Sequence, residues 1–178
     1  MHESTSDKGK SGNSDSIVSH LGAQVRGLDH IAIAVVNLND AIEWYTKMLG
    51  FRLTEMKTTR GDKTGMVWAV MKAGSAVVVL IQGTEPESQV SRFVEKFGPG
   101  VQHLALEVYD LSHAVDSVVA AGGEADSPIF NDIGIRQIFL RRESGSGVRI
   151  ELIERRGGNF SNHTVESLFR QFEYQDLY

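Results

Sequence analysis

One stretch of this chain is written twice, and both copies put a histidine in the same place. Gly27-Leu-Asp-His-Ile-Ala-Ile-Ala-Val35 and Gly100-Val-Gln-His-Leu-Ala-Leu-Glu-Val108 each alternate with a period of two, the mark of a strand with one buried face. An Asn or Asp follows each copy, and then a helical spacing: Ala41, Ile42, Tyr45 and Leu49 in the first, Ala114, Val115, Val118 and Val119 in the second. Three further strands are expected after each helix, at about 51–57, 65–72 and 76–82 and again at about 124–130, 135–142 and 148–154. Strand, helix and three strands, repeated, predict an α+β fold in which two tandem βαβββ modules make one curved mixed sheet around a shared site.

Glycines punctuate the repeat. Gly50 closes the first helix, Gly122-Gly123 breaks the second, and Ala73-Gly-Ser75 joins the last two strands of the first module. The modules span about 27–82 and 101–155 of a domain at 27–155, with a linker helix at about 87–97 that ends at Gly98-Pro-Gly100. Residues 1–26 read as a disordered polar tail, rich at first in Ser, Gly, Lys and Asp and without the apolar core of a signal peptide. Residues 156–178 carry the stripe Val165, Leu168, Phe169 and Phe172, expected as a terminal helix docked on the sheet.

Composition narrows the function classes. A formal net charge of −5 with no basic run argues against a nucleic-acid partner. No apolar stretch approaches the roughly 20 residues of a membrane helix. A cytoplasmic protein with a small-molecule substrate is the expectation. There is no cysteine, which removes disulfides and thiolate metal sites.

The two repeated histidines, His30 and His103, have a third companion. Glu151 sits in phase with apolar neighbours in Arg149-Ile-Glu-Leu-Ile-Glu154, and a charge turned inward there is costly without a partner. Two imidazoles and one carboxylate hold a divalent ion on one face and leave the other open to substrate and dioxygen, which predicts Fe(II), with another divalent metal as the alternative. Aligning the last strands of the modules sets Val79 opposite Glu151, so no fourth protein ligand is expected. His2, His20, His113 and His163 have no partner at recognisable spacing and read as surface residues.

With these residues in place, 27–155 resembles the vicinal oxygen chelate superfamily, which includes glyoxalase I, extradiol dioxygenases, methylmalonyl-CoA epimerase and antibiotic-resistance binding proteins. Residues 88–106, Arg136-Gln-Ile-Phe139, Gly158-Asn-Phe160 and Leu168-Phe-Arg-Gln-Phe-Glu173 further resemble the iron-binding domain of the 4-hydroxyphenylpyruvate dioxygenase and hydroxymandelate synthase group. That resemblance implies His30, His103 and Glu151 as iron ligands and Gln137 and Gln82 facing the substrate. It also implies that Phe160, Phe169 and Phe172 close the cavity. The implied activity is an oxidoreductase, an Fe(II)-dependent dioxygenase joining a small or medium 2-oxo acid with O₂. Other members of the superfamily offer two alternatives: a metal-dependent isomerase, epimerase or lyase of the glyoxalase type, or a non-catalytic binding protein. Members often pair, which leaves a homodimer open.

Overall fold

Sequence parity and helix capping explain most of what the chain builds. The computed structural model describes residues 21–157 and 162–175. In order the elements are β1 (Val25–Ala34), α1 (Leu38–Leu49), β2 (Arg52–Arg60), β3 (Gly65–Ala73), β4 (Ala76–Gly83) and α2 (Gln89–Phe97). The second half supplies β5 (Gly100–Val108), α3 (Leu111–Ala120), β6 (Phe130–Asp132), β7 (Ile135–Phe139), β8 (Arg149–Arg155) and α4 (Asn162–Gln175).

All eight strands join one sheet in the order β2-β3-β4-β1-β5-β8-β7-β6. The order is palindromic about the antiparallel β1–β5 pair. In each half the first strand runs parallel to the last, β1 beside β4 and β5 beside β8. The repeat therefore folds as two mirrored modules meeting at their histidine strands, as the sequence predicts.

The two module helices start in the same way. The Asn37 side chain accepts hydrogen bonds from the amides of Asn39 at 3.0 Å and Asp40 at 3.2 Å, and Asp110 accepts one from His113 at 3.0 Å. Gly50 ends α1 in the left-handed conformation at φ 69°, where a side chain would be strained. α1 packs on β3 and β4 through Leu38, Ala69, Met71, Val78 and Leu80; α3 packs on β5, β7 and β8 through Leu111, Ala114, Val108, Ile138 and Leu152. These two helices cover one face of the sheet, so the other face is left for the site.

Two boundaries differ from expectation. Residues 21–26 belong to the fold and not to a tail: Leu21–Gln24 form one turn of 3₁₀ helix, Leu21 packs against the α3 cluster, and β1 begins at Val25. The strand expected at 124–130 shrinks to Phe130–Asp132 plus a single bridge between Ala125 and Leu140. Pro128 has no amide to give a ladder, and Ser127 Oγ accepts from the Phe139 amide at 3.0 Å in its place.

α4 reaches from β6 of its own module to β2 at the opposite end of the sheet. Its Phe169 and Phe172 are buried, and its Glu173 carboxylate accepts from the amides of Asp62 at 2.8 Å, Lys63 at 3.3 Å and Thr64 at 2.7 Å, and from the Thr64 hydroxyl. Gly61 makes that approach feasible: a Cβ there would stand 2.4 Å from Glu173 Oε2 and 2.9 Å from the Phe169 ring.

Partial burial pushes the Glu173 carboxyl up, but the Thr64 hydroxyl and the three amides together hold it below its ordinary value. Its contribution is thus complete above the unfolded carboxylate range, about pH 4.5, and is lost as pH falls through the lower folded value. Glu173→Gln is expected to cost roughly 1 kcal/mol of helix docking. Amide exchange across 61–64 and 165–174 should speed up in the variant at pH 6. It should speed up in the parent only on acidification. Equal protection of parent and variant at pH 6 would show that the carboxylate does not clamp the helix.

Candidate metal centre

The central strand pair sets the geometry of the site. In the β1–β5 register His30 faces Ala105 and His103 faces Ala32, and both alanines are fully buried. A small residue opposite each ring leaves room for the imidazoles to reach across, with ring centres 5.4 Å apart and planes at 83°. Glu151 on β8 is the register partner of Ala105, as Val79 on β4 is the partner of Ala32. The repeat thus places a carboxylate on one flank and an isopropyl group on the other.

His30 Nε2 and His103 Nε2 stand 3.3 Å apart, and each faces Glu151 Oε2, at 3.5 and 3.3 Å. Groups bound at about 2.1 Å to one divalent ion lie roughly 3.0–3.4 Å from each other, so the triangle has the right size.

Tautomers support the same fit. His30 Nδ1 lies 2.8 Å from Asp29 Oδ1, and His103 Nδ1 is held by Gln102 Oε1. An ionised carboxylate and an amide oxygen only accept, so each Nδ1 carries the proton and each Nε2 turns a lone pair inward. Burial opposes the charge on Asp29, yet hydrogen bonds and attraction from Arg155 and His30 hold its carboxyl far below the usual range. Burial, with the nearby charges of Arg149 and Arg142, pushes His103 down to about 3, so it stays neutral. Burial pushes Glu151 up to about 7, with attraction to His30 working against it, and Glu151 Oε1 has no hydrogen-bond partner. With Glu151 ionised, three lone-pair atoms face one another and repel, and a cation removes that repulsion. The residues fit a divalent metal.

The cluster forms part of the wall of a largely apolar cavity of about 90 Å³, the room of several waters. Gln137, Phe169 and Phe172 are among its lining residues. Gln137 is 1% exposed, and its Oε1 has no partner. Phe160 lies outside the described residues. Gln82 does not face the cavity, which corrects the expectation. Val79 and Ile81 line the cavity, so strand parity turns Gln82 to the helical face, where its Oε1 accepts from the Leu38 amide at 2.7 Å. Its repeat mate Glu154 does the same for the Leu111 amide at 3.1 Å.

Sequence reasoning missed Asp29 and Gln102, the groups that orient the rings. Their signal was available, since each stands directly before a repeated histidine. It also missed Arg155, which pairs with Asp29, and Phe139, whose ring centre lies 5.3 Å from that of His103.

A mirrored pair of βαβββ modules around two histidines and a glutamate defines a class. The glyoxalase/bleomycin resistance protein/dioxygenase superfamily matches residues 27–152, and the chain belongs to it. The crystal structure of methylmalonyl-CoA epimerase from Mycobacterium tuberculosis shares 30% identity over 79% of this chain and 93% of its own, with a TM-score of 0.64. Mitochondrial methylmalonyl-CoA epimerase from Dictyostelium discoideum is 27% identical over 72% of this chain and 78% of its own. A mutant of 4-hydroxymandelate synthase from Streptomyces coelicolor superposes with a TM-score of 0.73 over 84% of this chain and 54% of its own. At 22% identity that likeness shows the fold alone.

These similarities overturn the expected Fe(II) dioxygenase. Relatives that match most of this chain include methylmalonyl-CoA epimerases, which are isomerases and not oxidoreductases, so the oxidoreductase assignment falls and with it the reason for iron. The physical reason is that an open two-histidine, one-carboxylate face serves Lewis-acid chemistry as readily as oxygen chemistry. Among the described residues no helix is long and apolar enough to cross a membrane.

Asp29→Asn removes the carboxylate that fixes the His30 tautomer and is expected to weaken divalent metal binding by about 10- to 100-fold. Competitive titration with Co(II) or Zn(II), beside a circular dichroism check of fold, measures it. Unchanged affinity in a folded variant would contradict the orienting role.

Proposed function

We propose that this protein is a divalent-metal-dependent isomerase of the glyoxalase and epimerase type, acting on a small acid derivative with two neighbouring oxygens. The observation that carries the reading is the inward triangle of His30 Nε2, His103 Nε2 and Glu151 Oε2, with sides of 3.3–3.5 Å, on the wall of an apolar cavity. The epimerase relatives at 27–30% identity support the choice of reaction class.

His30, His103 and Glu151 would hold the ion, whose chemistry is to draw charge onto a substrate carbonyl oxygen and stabilise its enolate. Val79 leaves one flank free of a fourth protein ligand, which would leave room there for the substrate's own oxygens. Gln137 offers its unpartnered Oε1 to a substrate donor. Trp68, Phe139, Phe169 and Phe172 exclude water, which strengthens every charge interaction within.

The moving proton needs a carrier. Glu151 is the single carboxylate among the residues that line the cavity, and its Oε1 is buried with no partner. Glu151 would face the metal through Oε2 and take the α-proton at Oε1, and isomerisation is complete when a proton is returned to the opposite face or to the adjacent carbon of the enolate.

The test is α-proton exchange. Protein loaded with Co(II) under argon in D₂O is mixed with methylmalonyl-CoA, other short acyl-CoA thioesters and 2-oxo acids, and loss of the α-C–H signal is followed by NMR. Exchange well above the uncatalysed rate is expected, falling at least about 100-fold in Glu151→Gln and His103→Ala. Turnover that appears only with O₂ consumption, with no exchange under argon, would overturn the isomerase reading.

A further inference from the structure

A buried cation beside the metal centre has no part in the chemistry above. Arg149 precedes Glu151 by two residues on β8, so both side chains leave the same face of the strand. It is the register partner of His103 and is 3% exposed. Nη2 donates to Asp126 Oδ2 at 3.2 Å, but Nε and Nη1 are buried with no acceptor. Asp126 is shared, since Arg141 Nε lies 3.8 Å from its other oxygen.

A purely structural ion pair would satisfy its donors, because each buried charged N–H left without an acceptor is costly. What covers the guanidinium is an aromatic ring. Its central carbon lies 5.5 Å from the centre of Phe172, a cavity-lining residue of α4. Phe172 in turn stacks at 4.8 Å on Phe139, the ring next to His103. Arg149 therefore lies behind the cavity wall, joined through Phe172 and Phe139 to His103 by successive contacts.

We propose that Arg149, covered by Phe172, is the recognition site for a substrate carboxylate, so that the substrates are carboxylic acids whose reacting carbonyl lies a few bonds away. The inference rests on the isomerase reading for the metal-bound end of the substrate and adds a class for the other end. A carboxylate is a far better partner for a guanidinium than an aromatic face is. Rotation of the Phe172 ring, carried on the terminal helix, would uncover Nε and Nη1 to the cavity. Asp126 positions the guanidinium without using up its donors.

Succinate and its neutral diamide, succinamide, serve as probes, titrated calorimetrically into the whole protein with a chelator present so that no metal contributes. Wild type is expected to favour succinate by at least about tenfold, Arg149→Gln to lose that preference, and Phe172→Ala to bind succinate more tightly than wild type. Equal binding of the two probes by wild type, or a succinate preference retained in folded Arg149→Gln, would overturn the proposal. Should Arg149→Gln fail to fold, the double variant R149M/D126N removes both charges of the buried pair together, and the same loss or retention decides. A parallel metal titration separates the two readings: Arg149-dependent succinate binding by a protein that takes up no divalent ion would sink the metal-centred function and leave this inference standing.

Discussion

Everything at this site is arranged around three atoms that repel one another once Glu151 is ionised. His30 Nε2, His103 Nε2 and Glu151 Oε2 are brought within 3.3–3.5 Å with their lone pairs converging. Nothing in a protein-only interior rewards that arrangement, and burial makes it worse by weakening the screening between them. The sheet imposes it nonetheless. The antiparallel β1–β5 pair fixes the distance between the two rings, and the parallel β5–β8 pair swings Glu151 in beside them. Asp29 and Gln102 then remove the easy escape, in which one ring would turn its N–H inward and quench the repulsion with a hydrogen bond. A site so constrained stores a demand for positive charge that a divalent ion meets.

Much of this was legible because the repeat forces equivalent residues to do equivalent work. His30 and His103 read as a pair from their shared phase, and the structure extends the pairing to Asn37 with Asp110 at the helix starts and Gln82 with Glu154 beneath them. Strand parity was readable too, and it shows where resemblance misled. Val79, Ile81 and Glu151 face the cavity, so Gln82 and Glu154, each out of phase with them, must face the helices. The shortened β6 was harder to see, because the apolar pattern around 124–130 looks like a strand while Pro128 and the Ser127 side chain divert its hydrogen bonds. Arg155 was not visible at all. Its pairing with Asp29 spans 126 positions of sequence and exists only because β8 and β1 flank the same strand.

The terminal helix is the least local part of the design. α4 follows the second module yet docks at the first, with Glu173 gathering the amides of the loop between β2 and β3. Its Phe169 and Phe172 then complete an apolar enclosure that neither module closes alone. The attachment combines the Glu173 carboxylate with Val165, Phe169 and Phe172 packed over the cavity, so the strands that carry His30, His103 and Glu151 and the helix that covers them are separate elements.

The ligand set could not announce the reaction. Two imidazoles and a carboxylate constrain the ion's charge and the number of its open faces, and both oxygen activation and enolate stabilisation can use that constraint. What separates the two is what surrounds the open face. Oxygen chemistry asks for a place for O₂ beside the substrate, whereas proton transfer asks for a base at the α-carbon. Among the described residues that line the cavity Glu151 is the single carboxylate, with one oxygen turned to the two histidine nitrogens and the other unpartnered. The amide of Gln137 and the aromatic rings that make up much of the remaining wall can position a substrate and keep water out, but they are no match for a carboxylate as a base. In the proposed isomerase Glu151 is therefore the residue on which metal binding and turnover would meet, and substituting it would disturb both at once. A substitution at Arg149 or Phe172 would instead change which acid is accepted while leaving the metal ligands in place.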